Sequence, residues 1–236
     1  MLAVWKRELQ SYYYTPVGYV FMTVFLVLSG IMFFMSILQP RSGDLLIFIG
    51  QMGYLWMLLS PVLTMKLLAE EKQKHTDQLL LTSPVSVPGI VLGKYLAAVT
   101  VMLLTVLITF AYVGVMGLYG TVYPGEVMVG YLGFVLEGCA FIAVDMFLSS
   151  CTGSPVSAAI AAFGVNFALW ILDLLVDSVG IGFVETVLRF ISLYRRNEPF
   201  LMGQLSFASV IYDVSFALVF VLLTCHRLDA RRYQGA

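Results

Sequence analysis

Six runs of mostly apolar residues, at 17–38, 45–68, 89–118, 128–149, 155–176 and 207–226, decide what this chain can fold into. Each is long enough to cross a hydrocarbon layer, which takes about 20 predominantly apolar residues in helical conformation. The bilayer interior offers no water to backbone amides, so such runs must satisfy them internally, as helices. The expected fold is therefore all-α and polytopic. Composition agrees: 60% of the 236 residues are hydrophobic, 11% are charged and mean hydropathy is +0.93, against about 25% charged residues in a soluble domain. The spans and their connections use nearly the whole length and leave no room for a soluble catalytic domain.

The remaining segments are short. Residues 1–15 place Leu2, Trp5, Leu9 and Tyr12 on one helical face and Lys6, Arg7 and Gln10 on another, the pattern of a helix lying at the headgroups. Tyr12, Tyr13 and Tyr14 fit an aromatic belt. The first apolar run continues to Gln39-Pro40 without a small-residue cleavage signature, so it reads as a retained span and not a signal peptide. The third run is long enough to tilt or project beyond the membrane. Ser150–Pro155 is so short a connection that the fourth and fifth spans must be antiparallel neighbours. In 177–206, Phe183, Val187, Phe190, Ile191 and Tyr194 recur at helical spacing among Glu185, Arg189, Arg195 and Arg196. This predicts one or two short extracytoplasmic helices dipping into the interface.

Basic residues set the expected orientation. Lys6, Arg7, Lys66, Lys72, Lys74, Lys94, Arg227, Arg231 and Arg232 fall on one side, and Arg41, Arg189, Arg195 and Arg196 on the other. The excess puts both termini in the cytoplasm, with the chain crossing the inner (plasma) membrane. A net charge of −1 with scattered basic residues gives no reason to expect nucleic acid. Cys139, Cys151 and Cys225 match no metal or redox spacing and read as packing residues. His75 and His226 both fall at the cytoplasmic edge, and no serine has a suitable base, so neither a metal site nor a catalytic site is expected. Gly89-Ile-Val-Leu-Gly-Lys94 has three residues between its glycines and Tyr95 after the lysine, so it is not a phosphate loop. Its glycines suit close helix packing, and Lys94 is expected to snorkel to the interface. The chain has nothing else that could bind ATP.

The longest strongly polar run is Ala69–Pro84. Glu70 and Lys74 form an i,i+4 pair in the favourable order, Ser83-Pro84 ends the helix, and Pro88 suits the first turn of the third span. A short polar helix over 69–81 is thus expected between two spans. Physics alone leaves two readings: a piece that transmits force from a soluble partner, or a solvated connection with helical character.

Glu137 and Asp145 lie roughly on one face of the fourth span. A carboxylate at the bilayer centre costs about 2.5–3.5 kcal/mol on insertion scales, so it faces the bundle interior or a polar cavity. They read either as hydrogen-bonded structural groups or as a proton or cation path. Asp173 and Asp213 fall near span ends and read as interfacial. Ser154, Ser157, Ala158, Ala161, Ala162 and Gly164 form a small-residue stripe that suits packing within the subunit more often than a dimer seam. Phe33, Phe34, Tyr54 and Trp56 read as lining either a lipid-facing or a substrate-facing groove, the lipid-facing one being expected.

Ala69-Glu-Glu-Lys72, then Thr76-Asp-Gln-Leu-Leu-Leu-Thr-Ser-Pro-Val-Ser86 and Gly93-Lys-Tyr-Leu96, resembles the segment between spans 2 and 3 of ABC-2 type permeases. Trp5-Lys-Arg-Glu-Leu9, Thr15-Pro-Val-Gly-Tyr-Val20, Phe25-Leu-Val-Leu-Ser-Gly30, Asp213-Val-Ser215 and Arg231-Arg-Tyr233 are similar to the gliding-motility and nitrous-oxide-accessory branch of that family. His75 stands where that branch usually has glycine, and the segment before the last span lacks its aspartate-rich run. The resemblance implies one ABC-2 type transmembrane domain over 1–236 that pairs with a second copy or a paralogue in membrane lipid. It implies two cytoplasmic ATPase subunits that hold ATP and Mg, while the missing aspartate-rich run leaves open whether an extracytoplasmic accessory protein binds 177–206. Export is the implied direction, with no cofactor in this chain. It makes 69–81 the coupling helix, with Glu70, Glu71, Lys72, Lys74, His75, Thr76, Asp77, Gln78 and Leu79 at the ATPase. The alternative is an ion- or proton-coupled secondary transporter built on Glu137 and Asp145.

Overall fold

The computed structural model describes residues 1–40, 44–74, 76, 86–119, 121–176 and 192–234. Its helices, in chain order, are α1 Leu2–Tyr14, α2 Pro16–Phe33, α3 Leu45–Thr64, α4 Lys66–Gln73, α5 Val87–Tyr119, α6 Pro124–Cys151, α7 Pro155–Val176, α8 Leu193–Leu201 and α9 Phe207–Gln234. A π-helical stretch, Phe34–Leu38, continues α2. Every regular element among the described residues is helical. Pro16–Leu38, Leu45–Gln73, Val87–Tyr119, Pro124–Cys151, Pro155–Leu175 and Phe207–Ala230 are long and apolar enough to cross a membrane. The chain is a multi-pass membrane protein.

Local chemistry fixes where these helices begin. Pro16, Pro124 and Pro155 open α2, α6 and α7, where the missing N–H costs no helical hydrogen bond. Asp44 Oδ1 accepts from the amides of Leu46 and Ile47 at 3.1 and 3.4 Å and caps α3. α6 is the central element: 67% of its apolar window is buried, against 17% for α7, and it packs on α3, α4, α5, α7, α8 and α9. Glycines let it approach its neighbours. A Cβ on Gly133 would stand 2.5 Å from Phe200 Cβ, and one on Gly138 would stand 2.5 Å from Met102 Sδ. Because successive spans alternate direction, α1, α4, the start of α5 and the α6–α7 turn share one end of the bundle. α8 lies at the other.

Several expected faces are different. α1 turns Val4 and Tyr12 inward, with Glu8 one turn from each, and leaves Leu2 exposed. It docks on α5. Tyr12 is no belt residue: its hydroxyl donates to the Leu63 carbonyl at 2.8 Å. Phe33 and Trp56 are core residues, not lipid-facing ones, whereas Phe34 is exposed. Trp56 packs edge-on against Phe21 and Phe25, an arrangement aromatic rings favour. Asp213 is buried, not interfacial. Of the small-residue stripe, Ala158 and Ala162 are buried, while Gly164 faces open space. The helix expected over 69–81 starts at Lys66 and stops at Gln73, because Lys74 leaves helical geometry (φ −87°, ψ 1°). Residues 77–81 of that expectation lie outside the described residues, as do Phe183, Glu185, Val187, Arg189, Phe190 and Ile191.

Candidate functional site

α4 has no cap of its own, since Met65 precedes it. Ser149, near the end of α6, supplies one: its Oγ accepts from the amides of Leu68 at 3.3 Å and Ala69 at 3.1 Å. The same hydroxyl donates to the Met65 carbonyl at 3.2 Å, so two amides and one carbonyl at the start of α4 meet a side chain from another helix. Lys72 Nζ adds a bond to the Thr152 carbonyl at 3.1 Å, just past the end of α6.

The other side of α4 is held by charge. Lys94 of α5, only 1% exposed, places Nζ 3.0 Å from Glu8 Oε1 of α1 and 2.9 Å from Glu71 Oε1 of α4. Arg7 Nη2 meets the same two oxygens at 2.9 and 3.0 Å. Two cations thus alternate with two carboxylates and join three helices. Burial alone would raise the Glu8 carboxyl, but the Lys94 ammonium and the Arg7 guanidinium beside it hold it below the ordinary glutamate value. The Glu8 carboxylate in turn raises Arg7. Lys94 therefore does not snorkel out; its charge is matched in place. Gly93 allows the approach, because a Cβ there would stand 3.0 Å from Val4 Cβ.

The residues expected to couple divide accordingly. Glu71 and Lys72 bind within the chain, whereas Glu70 and Lys74 form an outward i,i+4 pair at 2.6 Å. Thr76 N–H donates to the Glu71 carbonyl at 2.9 Å. His75, Asp77, Gln78 and Leu79 lie outside the described residues. Around this cluster is a charged cleft of about 430 Å³ bounded by Arg7, Glu8, Lys66, Glu70, Glu71 and Lys94.

Glu137 and Asp145 are on one helix but serve different places. Eight residues of helix separate them by about 12 Å of rise. Asp145 Oδ2 accepts from Ser60 Oγ at 2.7 Å, next to Pro61 inside α3. A proline has no N–H, so the carbonyl four residues earlier, at Met57, loses its helical donor. Asn166 of α7 replaces it, with Nδ2 donating to the Met57 carbonyl at 3.3 Å and to Ser60 Oγ at 3.4 Å. Asp145 is thus part of a hydrogen-bonded node around a proline break.

Glu137 lines a cavity of about 270 Å³ at the end of the bundle that carries α8. Gly53 makes room for its carboxylate, since a Cβ there would stand 3.3 Å from Oε2. Tyr54 and Tyr194 stack along the wall, ring centres 5.3 Å apart and 20° from parallel. Asp173 accepts from Ser192 Oγ, and its Oδ1 lies 3.9 Å from Arg195 Nε. Arg195 Nη1 is 3.9 Å from Glu198 Oε2. Glu8, Ser149 and Asn166 are missing from the expectations drawn on sequence. Of these only Asn166 carries a local signal, an amide in an otherwise apolar span.

The model of the family described as ABC-2 family transporter protein matches residues 47–190, more than half of the chain. No curated protein matches it. The matched region holds α4, the Pro61 node and Glu137, and proteins of this family are membrane components of transporters. With six membrane-crossing helices of the length and character such a component needs, the chain belongs to the ABC-2 transporter family.

Proposed function

We propose that this chain is the permease subunit of an ATP-driven exporter, and that α4 with the residues after it receives the motion of a separate ATPase. The observation that carries the reading is the fixation of α4. Glu71 binds it to α1 and α5, while Ser149 and Lys72 bind it to α6. A push on α4 therefore moves three helices together. Glu70 and Lys74 remain on its outer side, with Asp77 three residues beyond, for the ATPase surface.

In this reading ATP and Mg bind only in the ATPase pair, and two copies of the chain, or one copy and a paralogue, enclose the pathway. The excess of basic residues at the α4 end supports a cytoplasmic location for that end and both termini. The motifs at 5–9, 15–20, 25–30 and 231–233 favour the gliding-motility and nitrous-oxide-accessory branch. The ion-coupled alternative needs Glu137 and Asp145 to act together, and they serve separate sites.

The test is ATP hydrolysis in nanodiscs by the chain alone, by the ATPase encoded beside it, and by the two co-purified. Hydrolysis raised only in the complex, and uncoupled by Glu70→Ala with Asp77→Ala, is the expected result. Failure of the chain to bind any such ATPase, with substrate movement driven by an ion gradient alone, would reject the proposal.

A further inference from the structure

The Glu137 cavity holds more hydrogen-bonding capacity than the chain itself uses. Glu137 is 7% exposed and Asn197 4% exposed, and both line the space. Among the described residues, Glu137 Oε1, Asn197 Oδ1, Asn197 Nδ2 and Tyr194 Oη are buried without a hydrogen-bond partner. Leaving such groups unmade costs about 1–3 kcal/mol each, and that all three residues line one cavity points to a ligand.

The chemistry of that ligand follows from what is left unmatched. Arg195 faces Asp173 and Glu198. Among the described residues, Glu137 forms no ion pair, and the cations nearest the cavity wall face other carboxylates. The carboxylate of Glu137, the amide oxygen of Asn197 and the hydroxyl of Tyr194 are three acceptors, and a primary ammonium has three N–H donors. The stacked tyrosines supply the π faces to which ammonium groups are drawn. No group of three His, Cys, Asp or Glu residues among those described could hold a metal ion. Ile49, Phe134, Leu174 and Leu201 complete the lining with apolar surface. At about 270 Å³ the space is slightly below the usual range for ligand pockets, about 300–1,000 Å³, which suits a head group with part of a chain.

We propose that this cavity binds the ammonium group of an amphiphilic amine, with Glu137 as its counter-ion and Tyr54 and Tyr194 as its aromatic wall. The proposal rests on the cavity and is independent of ATPase coupling. It covers two sources of the same chemistry, the head group of an aminophospholipid and a free alkylamine.

The test is calorimetry on the full chain in a neutral maltoside with decylammonium, decanol and decanoate. One decylammonium should bind per chain, far more tightly than decanol or decanoate. Glu137→Gln should weaken it about thirtyfold or more, as removal of one partner of a buried charge pair does, while Asp145→Asn leaves it unchanged. Tyr54 is 44% exposed, so Tyr54→Leu provides a second variant with little risk to folding, and it should weaken binding severalfold. Native mass spectrometry of freshly extracted protein separates the sources. Phosphatidylethanolamine retained by the natural chain and absent from Glu137→Gln identifies the head group, while a bare chain that takes up decylammonium identifies a free amine. Equal binding of decanol and decylammonium by the natural chain overturns the proposal, whatever the variants do.

Discussion

Lys94 Nζ lies 2.9 Å from Glu71 Oε1, and this contact joins the long third span to the short polar helix that follows the second. The two residues are 23 positions apart, and between them runs the polar segment that singled itself out in the sequence. Because Lys94 is fully enclosed, the contact behaves as a buried ion pair and not as a surface one.

Lys94→Met should therefore cost about 3 kcal/mol, the low end for breaking a buried pair, since Arg7 still faces both carboxylates. Thermal unfolding in detergent measures it. An unchanged midpoint would show that the cluster is screened by solvent.

The same cluster sets a pH dependence. The folded Glu8 carboxyl is held below its unfolded value, so its contribution is complete above the unfolded value, about 4.3, and is lost as pH falls through the lower folded value. The natural chain should lose stability as pH drops below about 4.3, and Lys94→Met should flatten that slope. Midpoints recorded between neutral and acid pH for both proteins check the sign.

Ser149→Ala removes the acceptor for two amides of α4. We expect a loss of about 1 kcal/mol, as for other lost helix caps. Amide exchange should speed up in 66–73 and stay slow in α6; exchange rising equally in both would mean that Ser149 merely packs.

Asn166→Leu leaves the Met57 carbonyl without a donor and should cost about 1 kcal/mol, in the range of hydrogen bonds within membranes. In a Pro61→Ala background the helical N–H returns, and the same substitution should be close to neutral. A double-mutant cycle gives the coupling directly, and zero coupling would separate the two residues.

Two glycines provide a matched pair. A Cβ on Gly18 would sit 2.5 Å from the Tyr12 carbonyl oxygen, whereas one on Gly164 meets nothing within 4 Å. Gly18→Ala should destabilise by at least the 1–3 kcal/mol typical of overpacking, about 3 kcal/mol because backbone must move. Gly164→Ala should be silent, and melting curves of both test the difference.

The six spans were legible because length and apolar content are enough to mark a membrane helix. Which way each span faces was not, because lipid is as apolar as the core. Phe33 and Phe34 are neighbours with the same side chain, yet one is core and the other exposed. Charged contacts failed for another reason: Glu8 finds Lys94 across 86 positions, and no local pattern announces that. Lys94 near a span end looks like any interfacial lysine until the helix bringing Glu8 is in place. Glu137 and Asp145 shared a face on paper, but the neighbours of α6 change along its length, and the two carboxylates meet different partners.

The serine that closes α4 has a consequence for synthesis. Ser149 lies 80 positions after Ala69, and a ribosome adds about 5–20 residues per second, so α4 waits roughly 4–16 s for its cap on that scale. During that interval the amides of Leu68 and Ala69 lack the side-chain acceptor that the finished chain gives them. The helix is thereby completed only once the fourth span has been made, and nascent chains halted before and after Ser149 should differ in the protease resistance of 66–73.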